Sequence, residues 1–229
     1  MPETLSVLND SVTTCRCCPR LVEWRERVAR EKRASFARED YWGHPVPGFG
    51  DPAGRLLVVG LAPAAHGANR TGRMFTGDRS GDWLYGALHR AGFASQAEST
   101  GRGDGMRLTD CYITAAVHCA PPANKPSREE RDACQSFLEK ELDLLQRVQV
   151  MVALGKFAFD QLWRILQERG EPLPRPRTLF SHEAAVAIRP HLTLLASFHP
   201  SQQNTFTGKL TEAMFDRVWA RARSLVDPR

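Results

Sequence analysis

The sequence lacks the features that place a protein in a membrane or export it. No apolar run in its 229 residues approaches the roughly 18 that a transmembrane helix requires. Residues 1–10 contain no basic stretch followed by an apolar one, so we expect no signal peptide. Internal repeats and low-complexity tracts are absent as well. We therefore expect a cytoplasmic, intracellular protein that forms one domain over residues 1–229.

Two catalytic signatures are also missing. No glycine-rich loop ends in Gly-Lys-Ser or Gly-Lys-Thr, and no cluster of carboxylates is spaced to hold magnesium. These absences argue against a nucleotide or phosphoester hydrolase that would use a glycine-rich loop to hold an anion. The net charge of +5 permits an anionic partner without requiring one.

Six cysteines are present, and intracellular thiols act as metal ligands more often than as disulfides. Cys15 and Cys18 form a C-x-x-C pair, which lets two thiolates reach one metal centre from a single turn. Cys119 and Cys134 lie far downstream and could complete a set of four. Such a set suits zinc or an iron–sulfur cluster, and spacing alone does not choose between them; a redox pair is the alternative. The remaining two are expected to be a bystander and a core residue, respectively Cys17 and Cys111.

Short apolar runs alternate with helical patterns along the chain. The runs lie at 56–59, 108–117, 148–154 and 192–197, with a weak further strand at 184–188. Strand followed by helix, four times over, predicts a parallel sheet covered on both faces. The expected fold class is therefore α/β, a three-layer α/β/α sandwich around a central, mainly parallel four-stranded sheet.

The helical patterns carry their own local signals. We expect helices at 21–36, from Ser80 to about 91, and at 127–147, 156–169 and 209–226. Ser80 is the predicted N-cap of the second helix, and Ser127 with Glu130 forms a capping box. The arginine-rich stretch 21–36 is interpreted as a solvated helical face. The polar, glycine-rich stretch 97–107 is expected to be an exposed, mobile loop.

Three of the predicted strands end in unusual loops: a glycine-rich one, a Cys-Ala-Pro-Pro-Ala-Asn one and a Phe-His-Pro-Ser one. Because the carboxyl ends of parallel strands meet at one edge of a sheet, the three loops should converge on one crevice. This pattern alone brings four side chains near each other: Phe75, Asp78, Asn124 and His199.

Four motifs carry a resemblance to a known family. They read G-L-A-P-A-A-H-G at 60–67, R-M-F-T-G-D at 73–78, C-A-P-P-A-N-K-P at 119–126 and H-P-S at 199–201. In this order they resemble the uracil-DNA glycosylase superfamily and, within it, the broad-specificity iron–sulfur class called type 5. The match covers most of the chain, from about Cys15 to Leu210.

The resemblance implies one uracil-DNA glycosylase-like domain, with residues 1–50 as an extension that supplies two cluster cysteines. A 4Fe–4S cluster would be held by Cys15, Cys18, Cys119 and Cys134. The implied activity is that of a monofunctional uracil-DNA glycosylase, which flips a base out of DNA and hydrolyses its N-glycosidic bond to leave an abasic site. We expect a monomer whose partner is DNA that contains uracil or other deaminated bases.

The same resemblance implies roles for individual residues. His199 would donate a hydrogen bond to the departing base, and Asp78 would stabilise the cationic sugar and orient the water. Phe75 would stack on the base and Asn124 would pair with its edge. The substrate-binding set also includes Ala62 and Ser201. Arg70, Arg73, Ser201, Gln202 and Lys209 are candidates for phosphate contacts, and a solvated surface position is the alternative for each.

Two departures from the pattern favour relaxed base selection. Residues 61–64 carry no polar side chain where other branches have Asp, Glu or Asn, and Ala115 stands where related cluster enzymes often have Asn. With fewer polar side chains in the pocket than in those relatives, a base other than uracil leaves fewer buried polar groups unpaired and is rejected less strongly. Hypoxanthine is therefore an expected second substrate.

Other interpretations stay open at this point. Phe75 could be core packing, Asn124 a turn residue and Asp78 a carboxylate at a helix N-terminus. The main rival function is a metal-stapled DNA-binding module without catalysis, which would bind DNA in a salt-dependent way and release no base. A relative that traps DNA covalently through a loop histidine is disfavoured, because residues 202–207 contain no histidine. His66 has no assigned role.

Overall fold

A mixed β-sheet forms the centre of the computed structural model, which describes residues 4–227. Within those residues six strands are present: β1 (Phe49–Gly50), β2 (Leu56–Gly60), β3 (Cys111–Ala115), β4 (Val150–Leu154), β5 (Ala185–Arg189) and β6 (Leu192–Ser197). Their order across the sheet is β1-β3-β2-β4-β6-β5. The four inner strands are parallel, and the two edge strands pair with them in an antiparallel manner.

The α/β class and the parallel core of the sheet are confirmed, but the sheet has six strands where four were predicted. The two-residue β1 is too short to show any periodicity, and it pairs Phe49 with Ile113. The weak strand at 184–188 is real, lies at 185–189 and adds a second antiparallel edge. Short, partly exposed edge strands leave a weak pattern in a sequence, whereas the fully buried inner strands leave a strong one.

Helices cover both faces of the sheet. They are α1 (Leu5–Thr13), α2 (Pro19–Glu31), α3 (Ala68–Thr71), α4 (Arg79–Arg90), α5 (Arg128–Leu144), α6 (Lys156–Glu168), α7 (Gln202–Phe206) and α8 (Glu212–Val226), with 3-10 turns at Ala34–Phe36 and Pro122–Asn124. No helix in the described range is long and apolar enough to cross a membrane.

Two apolar cores separate the layers. Along β2, Leu56 and Val58 pack with α4 and α8, whereas Leu57 and Val59 pack with α5 and α6. This alternation follows from the two-residue period of a strand, which sends successive side chains to opposite faces. Helix α1, which the sequence did not predict, joins the second layer against α5, where Asn9 donates to the hydroxyl of Tyr112. The domain predicted from the sequence also includes residues 1–3 and 228–229, which lie outside the described range.

The caps agree with the sequence at one helix and differ at another. Ser127 and Glu130 form the predicted capping box at the start of α5. The N-cap of α4 is Asp78 and not Ser80: its Oδ1 accepts from the backbone N–H groups of Ser80 at 2.9 Å and Gly81 at 3.1 Å. Asp and Ser cap about equally well, so the pattern alone could not rank them.

The loop at 97–107 is mostly exposed, as predicted, but it is anchored from within. The guanidinium of Arg73 bonds the carboxylate of Asp104, and Thr76 Oγ1 lies 2.7 Å from Ser99 Oγ. Hydrogen bonds from Arg73 and from backbone amides outweigh the effect of burial and hold the pKa of Asp104 at about 2. The loop is therefore tied to the segment that carries Phe75.

Candidate active site

A crevice with a volume of about 510 Å³ opens at the carboxyl edge of the parallel strands. Its walls come from the three loops that the sequence predicted to converge, and α4 and α7 begin at its rim. The structure brings together all six of the side chains proposed for catalysis and substrate binding: Ala62, Phe75, Asp78, Asn124, His199 and Ser201. Further lining residues had no assigned role in the sequence, notably Met74, Arg79 and Gln203.

Phe75 is held in an unusual backbone conformation against the end of β2. Its φ of +52° lies in the left-handed region, which a phenylalanine rarely adopts. The ring packs on Gly60, where an added Cβ would come within 2.6 Å of it. The ring centroid of His199 lies 5.9 Å from that of Phe75, with the two planes tilted by 30°. Phe75 thus forms a wall of the crevice beside the histidine.

The backbone around Phe75 is fixed by buried polar side chains. Tyr85 donates to the carbonyl of Met74 at 2.9 Å, and Arg70 donates to the carbonyl of Gly77 at 2.9 Å. Arg70 and Arg73 are 9% and 4% exposed, and each is paired with a carboxylate. The prediction that these two arginines contact phosphate is therefore wrong, because both guanidinium groups are buried and form ion pairs with carboxylates of the protein.

Asp78 has one oxygen engaged and one free. Oδ1 caps α4, while Oδ2 accepts no hydrogen bond from the described residues and lies directly against Gly67. Burial raises the pKa of the Asp78 carboxyl, and the N–H groups of Gly81 and Ser80 partly oppose that rise. The helix-cap and crevice interpretations of Asp78 are thus compatible, because different oxygens serve them.

His199 follows β6 at the floor of the crevice. Its Cβ faces Gly155, and its carbonyl accepts from Asn204 Nδ2 at 2.8 Å. Burial lowers the pKa of the His199 imidazole to about 4. The ring is therefore neutral at pH 7, with one ring N–H to donate and no side-chain partner among the described residues.

Asn124 and Ser201 combine a local role with a place in the crevice. Asn124 has a φ of +55°, which suits a turn residue, and its exposed amide makes no side-chain hydrogen bond within the described part of the chain. Ser201 Oγ accepts from the N–H of Asn204 at 3.3 Å and so caps α7, which leaves its hydroxyl proton available. Ala62 adds an apolar patch.

The rim of the crevice carries an exposed aromatic ring that sequence reasoning missed. Phe206 is 67% exposed, and the guanidinium of Arg79 lies 4.4 Å from its ring centroid. Lys209 sits over the ring of Phe198 at 4.9 Å. The signal was present in the sequence as a phenylalanine within a polar helix turn, a position where burial would not be expected. His66 does not line the crevice; its Nδ1 lies 3.0 Å from the hydroxyl of Tyr41.

Four cysteines gather around one small pocket behind the Asn124 loop. Cys15, Cys18, Cys119 and Cys134 all line it, together with the exposed Cys17. Within residues 4–227 no three His, Cys, Asp or Glu side chains are close enough to hold a metal ion as they stand. Cys111 is fully buried on β3, as predicted for a core residue.

Arg25 of α2 contradicts the interpretation of that helix as a solvated face. It is 1% exposed, and its Nη1 donates to Cys119 Sγ at 2.9 Å. Both Nη atoms also donate to the carbonyl of Cys15 at 3.3 Å. The helix ends at Glu31 and not at residue 36. The other arginines of the stretch do face solvent or a carboxylate: Arg30 and Arg33 are exposed and Arg27 pairs with Glu23.

Comparisons with known proteins identify the family of this chain. A family model described as the uracil DNA glycosylase superfamily matches residues 47–223. A type-5 uracil-DNA glycosylase of Thermus thermophilus is 52% identical over 215 residues, 94% of this chain and 95% of that protein. One of Mycobacterium leprae is 51% identical over 219 residues, 95% of this chain and 94% of that protein.

More distant relatives fall in the same group. A type-5 uracil-DNA glycosylase of Pyrobaculum aerophilum is 42% identical over 211 residues, 92% of this chain and 88% of that protein. The chain therefore belongs to the uracil-DNA glycosylase superfamily. Within that superfamily its strong similarities are to proteins of type 5.

Proposed function

We propose that this protein excises uracil from DNA by hydrolysing the N-glycosidic bond, and that it leaves an abasic site. The observation that carries the proposal is the crevice in which Phe75, Asp78 and His199 meet at the carboxyl edge of the sheet. A base must leave the stack to enter such a crevice, which costs a few kcal/mol. The type-5 relatives are named for the same activity.

Contacts with the flipped base in the crevice can offset the free energy that is needed to unstack it. Stacking a base on an aromatic ring is worth about 1–3 kcal/mol, and Phe75 offers a fixed ring for it. The amide of Asn124 has a donor and an acceptor for the base edge and no internal partner within the described residues. The Ser201 hydroxyl and the Ala62 methyl complete the binding surface.

His199 assists the departure of the base. Bond cleavage places negative charge on the base, and a neutral imidazole N–H beside it can donate a hydrogen bond to the oxygen that gains charge. Losing one such pre-positioned donor costs about 2.7–4 kcal/mol in barrier height. The low pKa of the imidazole, about 4, favours a hydrogen bond over full proton transfer at neutral pH.

Asp78 serves the sugar side of the reaction. As the base leaves, positive charge develops on the sugar, and a carboxylate close by stabilises that charge. The free Oδ2 can accept a hydrogen bond from the attacking water and orient it. Oδ1 remains bound to the helix N-terminus, which keeps the carboxylate fixed during the step.

The walls of the crevice suit more than one base. Residues 61–64 present no polar side chain to the crevice, and Ala115 at the buried end of β3 carries none either. A wrong base therefore leaves few buried polar groups unpaired. We include hypoxanthine and other deaminated bases among the proposed substrates.

The rim supplies the contacts to the DNA strand. Arg79 lines the crevice, packs against Phe206 and is within 4.0 Å of no carboxylate oxygen in the described residues. Gln202 also lines the crevice, and Lys209 lies over the ring of Phe198, the residue before His199. We propose that the protein acts inside the cell, where its DNA substrate is found. We also propose that it acts as a monomer.

The cysteine pocket fits an iron–sulfur centre by its donor chemistry. Cys15, Cys18, Cys119 and Cys134 would hold a 4Fe–4S cluster, which is wider than a single ion and so does not need thiolates that converge on one point. When bound, the cluster supplies a cross-link between chain segments that are far apart in sequence.

Residues beside this pocket also connect chain segments that are far apart in sequence. Arg20 of α2 bonds Glu130 through two nitrogens, at 2.8 and 2.6 Å, and the Lys125 carbonyl at 3.2 Å. This links the 1–50 extension to the loop that carries Asn124, and we propose that the two parts act as one domain.

An excision assay tests the proposal. The purified chain is incubated with labelled duplexes that contain one uracil, one hypoxanthine or only normal bases, and alkali then reveals abasic sites. The proposal predicts cleavage at uracil and at hypoxanthine, and none in the normal duplex. Uracil-only cleavage would remove the wider substrate range. Salt-dependent binding of DNA without any cleavage would favour the non-catalytic DNA-binding module instead.

A further inference from the structure

The apolar stripe of α2 contains one arginine. Leu21, Val22, Arg25 and Val28 form the buried face of this helix. The Arg25 side chain points inward to the cysteine pocket, where it contacts the sulfur of Cys119 and the carbonyl of Cys15. Its Nε is buried and has no hydrogen-bond partner among the described residues.

A guanidinium in such a place needs a counter-charge. It stays protonated in proteins, and an isolated buried charge is costly unless it is paired. The one carboxylate within reach in the described chain is Glu26, whose Oε1 lies 3.8 Å from Nη2. Glu26 is 32% exposed and is already bonded by Arg16, so it can offset little of the charge on Arg25.

The remaining source of negative charge is the set of cysteine sulfurs. Neutral thiols would leave Arg25 uncompensated, whereas thiolates bound to an iron–sulfur centre give this pocket a negative charge. We propose that Arg25 is the cation that balances this charge, stabilises the centre against loss of iron, and favours its uptake of an electron. The inference rests on the proposed 4Fe–4S cluster and does not depend on the proposed substrate.

A purely structural role for Arg25 predicts different behaviour. The side chain also links Cys15 to Cys119 by hydrogen bonds. Such a structural link would depend on the planar, forked shape of the guanidinium and not on its charge. Arg25→Lys keeps the charge and loses the fork, whereas Arg25→Gln loses both. Arg16→Gln is a matched control, because it removes the same charge beside the same cysteines from a side chain that is 61% exposed.

The test uses the full-length chain, purified without oxygen. Iron and sulfide are quantified first, and the midpoint potential is then measured by titration with dithionite, which passes one electron to the oxidised centre without making or breaking a bond. Iron loss to an added chelator gives a second readout. We expect the potential to fall in Arg25→Gln, to change less in Arg25→Lys, and to stay at the wild-type value in Arg16→Gln. Chelation of iron should be several-fold faster in Arg25→Gln than in Arg16→Gln.

Each outcome decides the proposal. Equal potentials and equal iron loss in Arg25→Gln and Arg16→Gln would overturn it, and an Arg25→Lys potential shifted as far as that of Arg25→Gln would assign the residue a structural role only. If Arg25→Gln does not fold, iron loss that is several-fold faster from Arg25→Lys than from Arg16→Gln overturns it, because the lysine keeps the charge and loses only the planar guanidinium. Wild-type protein without iron and sulfide would overturn the cluster as well. Failure of uracil excision by protein that holds the centre would leave this inference intact.

Discussion

The Asp78 carboxylate, which lines the crevice, is in direct contact with Gly67. Oδ2 of Asp78 lies so close to the Gly67 Cα that any Cβ at position 67 would overlap it. The glycine of the first motif thus leaves room for the carboxylate of the second. Two segments eleven residues apart in the chain (67 to 78) are fitted to each other at the atom that we propose handles water.

Gly67→Ala should therefore impair catalysis more than stability. The added methyl group pushes Oδ2 away from its place, and misplacing a reacting group by about 1 Å can cost about 100-fold in rate. We expect a single-turnover excision rate at least about tenfold lower, with a smaller loss of thermal stability because the shifted carboxylate also caps α4 less well. Gly103→Ala is the matched control, because a Cβ there meets nothing within 4 Å. An unchanged rate in Gly67→Ala would show that Asp78 Oδ2 tolerates displacement.

Arg79 should contribute to DNA binding through charge. It begins α4 at the rim of the crevice, and Arg90 ends the same helix, bonded to Asp216. Arg79→Gln should weaken duplex binding about equally for all sequences and lower the slope of log K against log salt by about 1. Arg90→Gln removes the same charge and should leave the slope unchanged. Equal slopes in the two variants would place the DNA elsewhere.

The pH dependence of excision should reflect a neutral His199. With its pKa lowered to about 4, the imidazole keeps its donor N–H uncharged throughout the neutral range. We expect a single-turnover rate that is level between about pH 6 and 8 and falls in acid. A charged imidazolium donor would instead lose activity as the pH rises through its ordinary pKa of about 6.5. A rate that declines steadily from pH 6 to 8 would contradict the neutral-donor mechanism.

Glu141 offers a test of the core of the fold. This α5 carboxyl is fully buried, accepts from Thr114 Oγ1 at 2.9 Å, and has no partner for Oε2 among the described residues. Burial raises its pKa to about 8. Because the folded pKa lies above the unfolded one, its stabilising effect is complete below about pH 4.5 and is lost as the pH rises to about 8.

Glu141→Gln should remove that dependence. The amide mimics the protonated carboxyl, so the variant should melt at the wild-type temperature near pH 5 and above it at pH 8. Asp143→Asn, at an exposed position of the same helix, is the control. A wild-type melting temperature that does not fall relative to Glu141→Gln between pH 5 and 8 would mean that Glu141 is ionised in the folded protein.

The sequence predicted the parts of the structure that depend on regular patterns. Fully apolar runs such as 150–154 located the inner strands, and the rule for parallel strands located the crevice. It could not predict which charged residues turn inward. Arg25, Arg70 and Arg73 look like solvated cations in a sequence, because the carboxylates and sulfurs that pair with them lie far away along the chain. The proposed catalytic and binding roles stay predictions.

The most direct test of the account compares Asp78→Asn and His199→Gln with wild type in single-turnover excision of uracil from a labelled duplex. Asp143→Asn and His191→Gln serve as controls, since both side chains are exposed and neither lines the crevice. We expect each crevice variant to be slower by about 100-fold, as the loss of a pre-positioned group of about 2.7–4 kcal/mol implies. DNA binding and the controls should be near wild type. Wild-type rates in both crevice variants would contradict the assignment of this crevice as the active site.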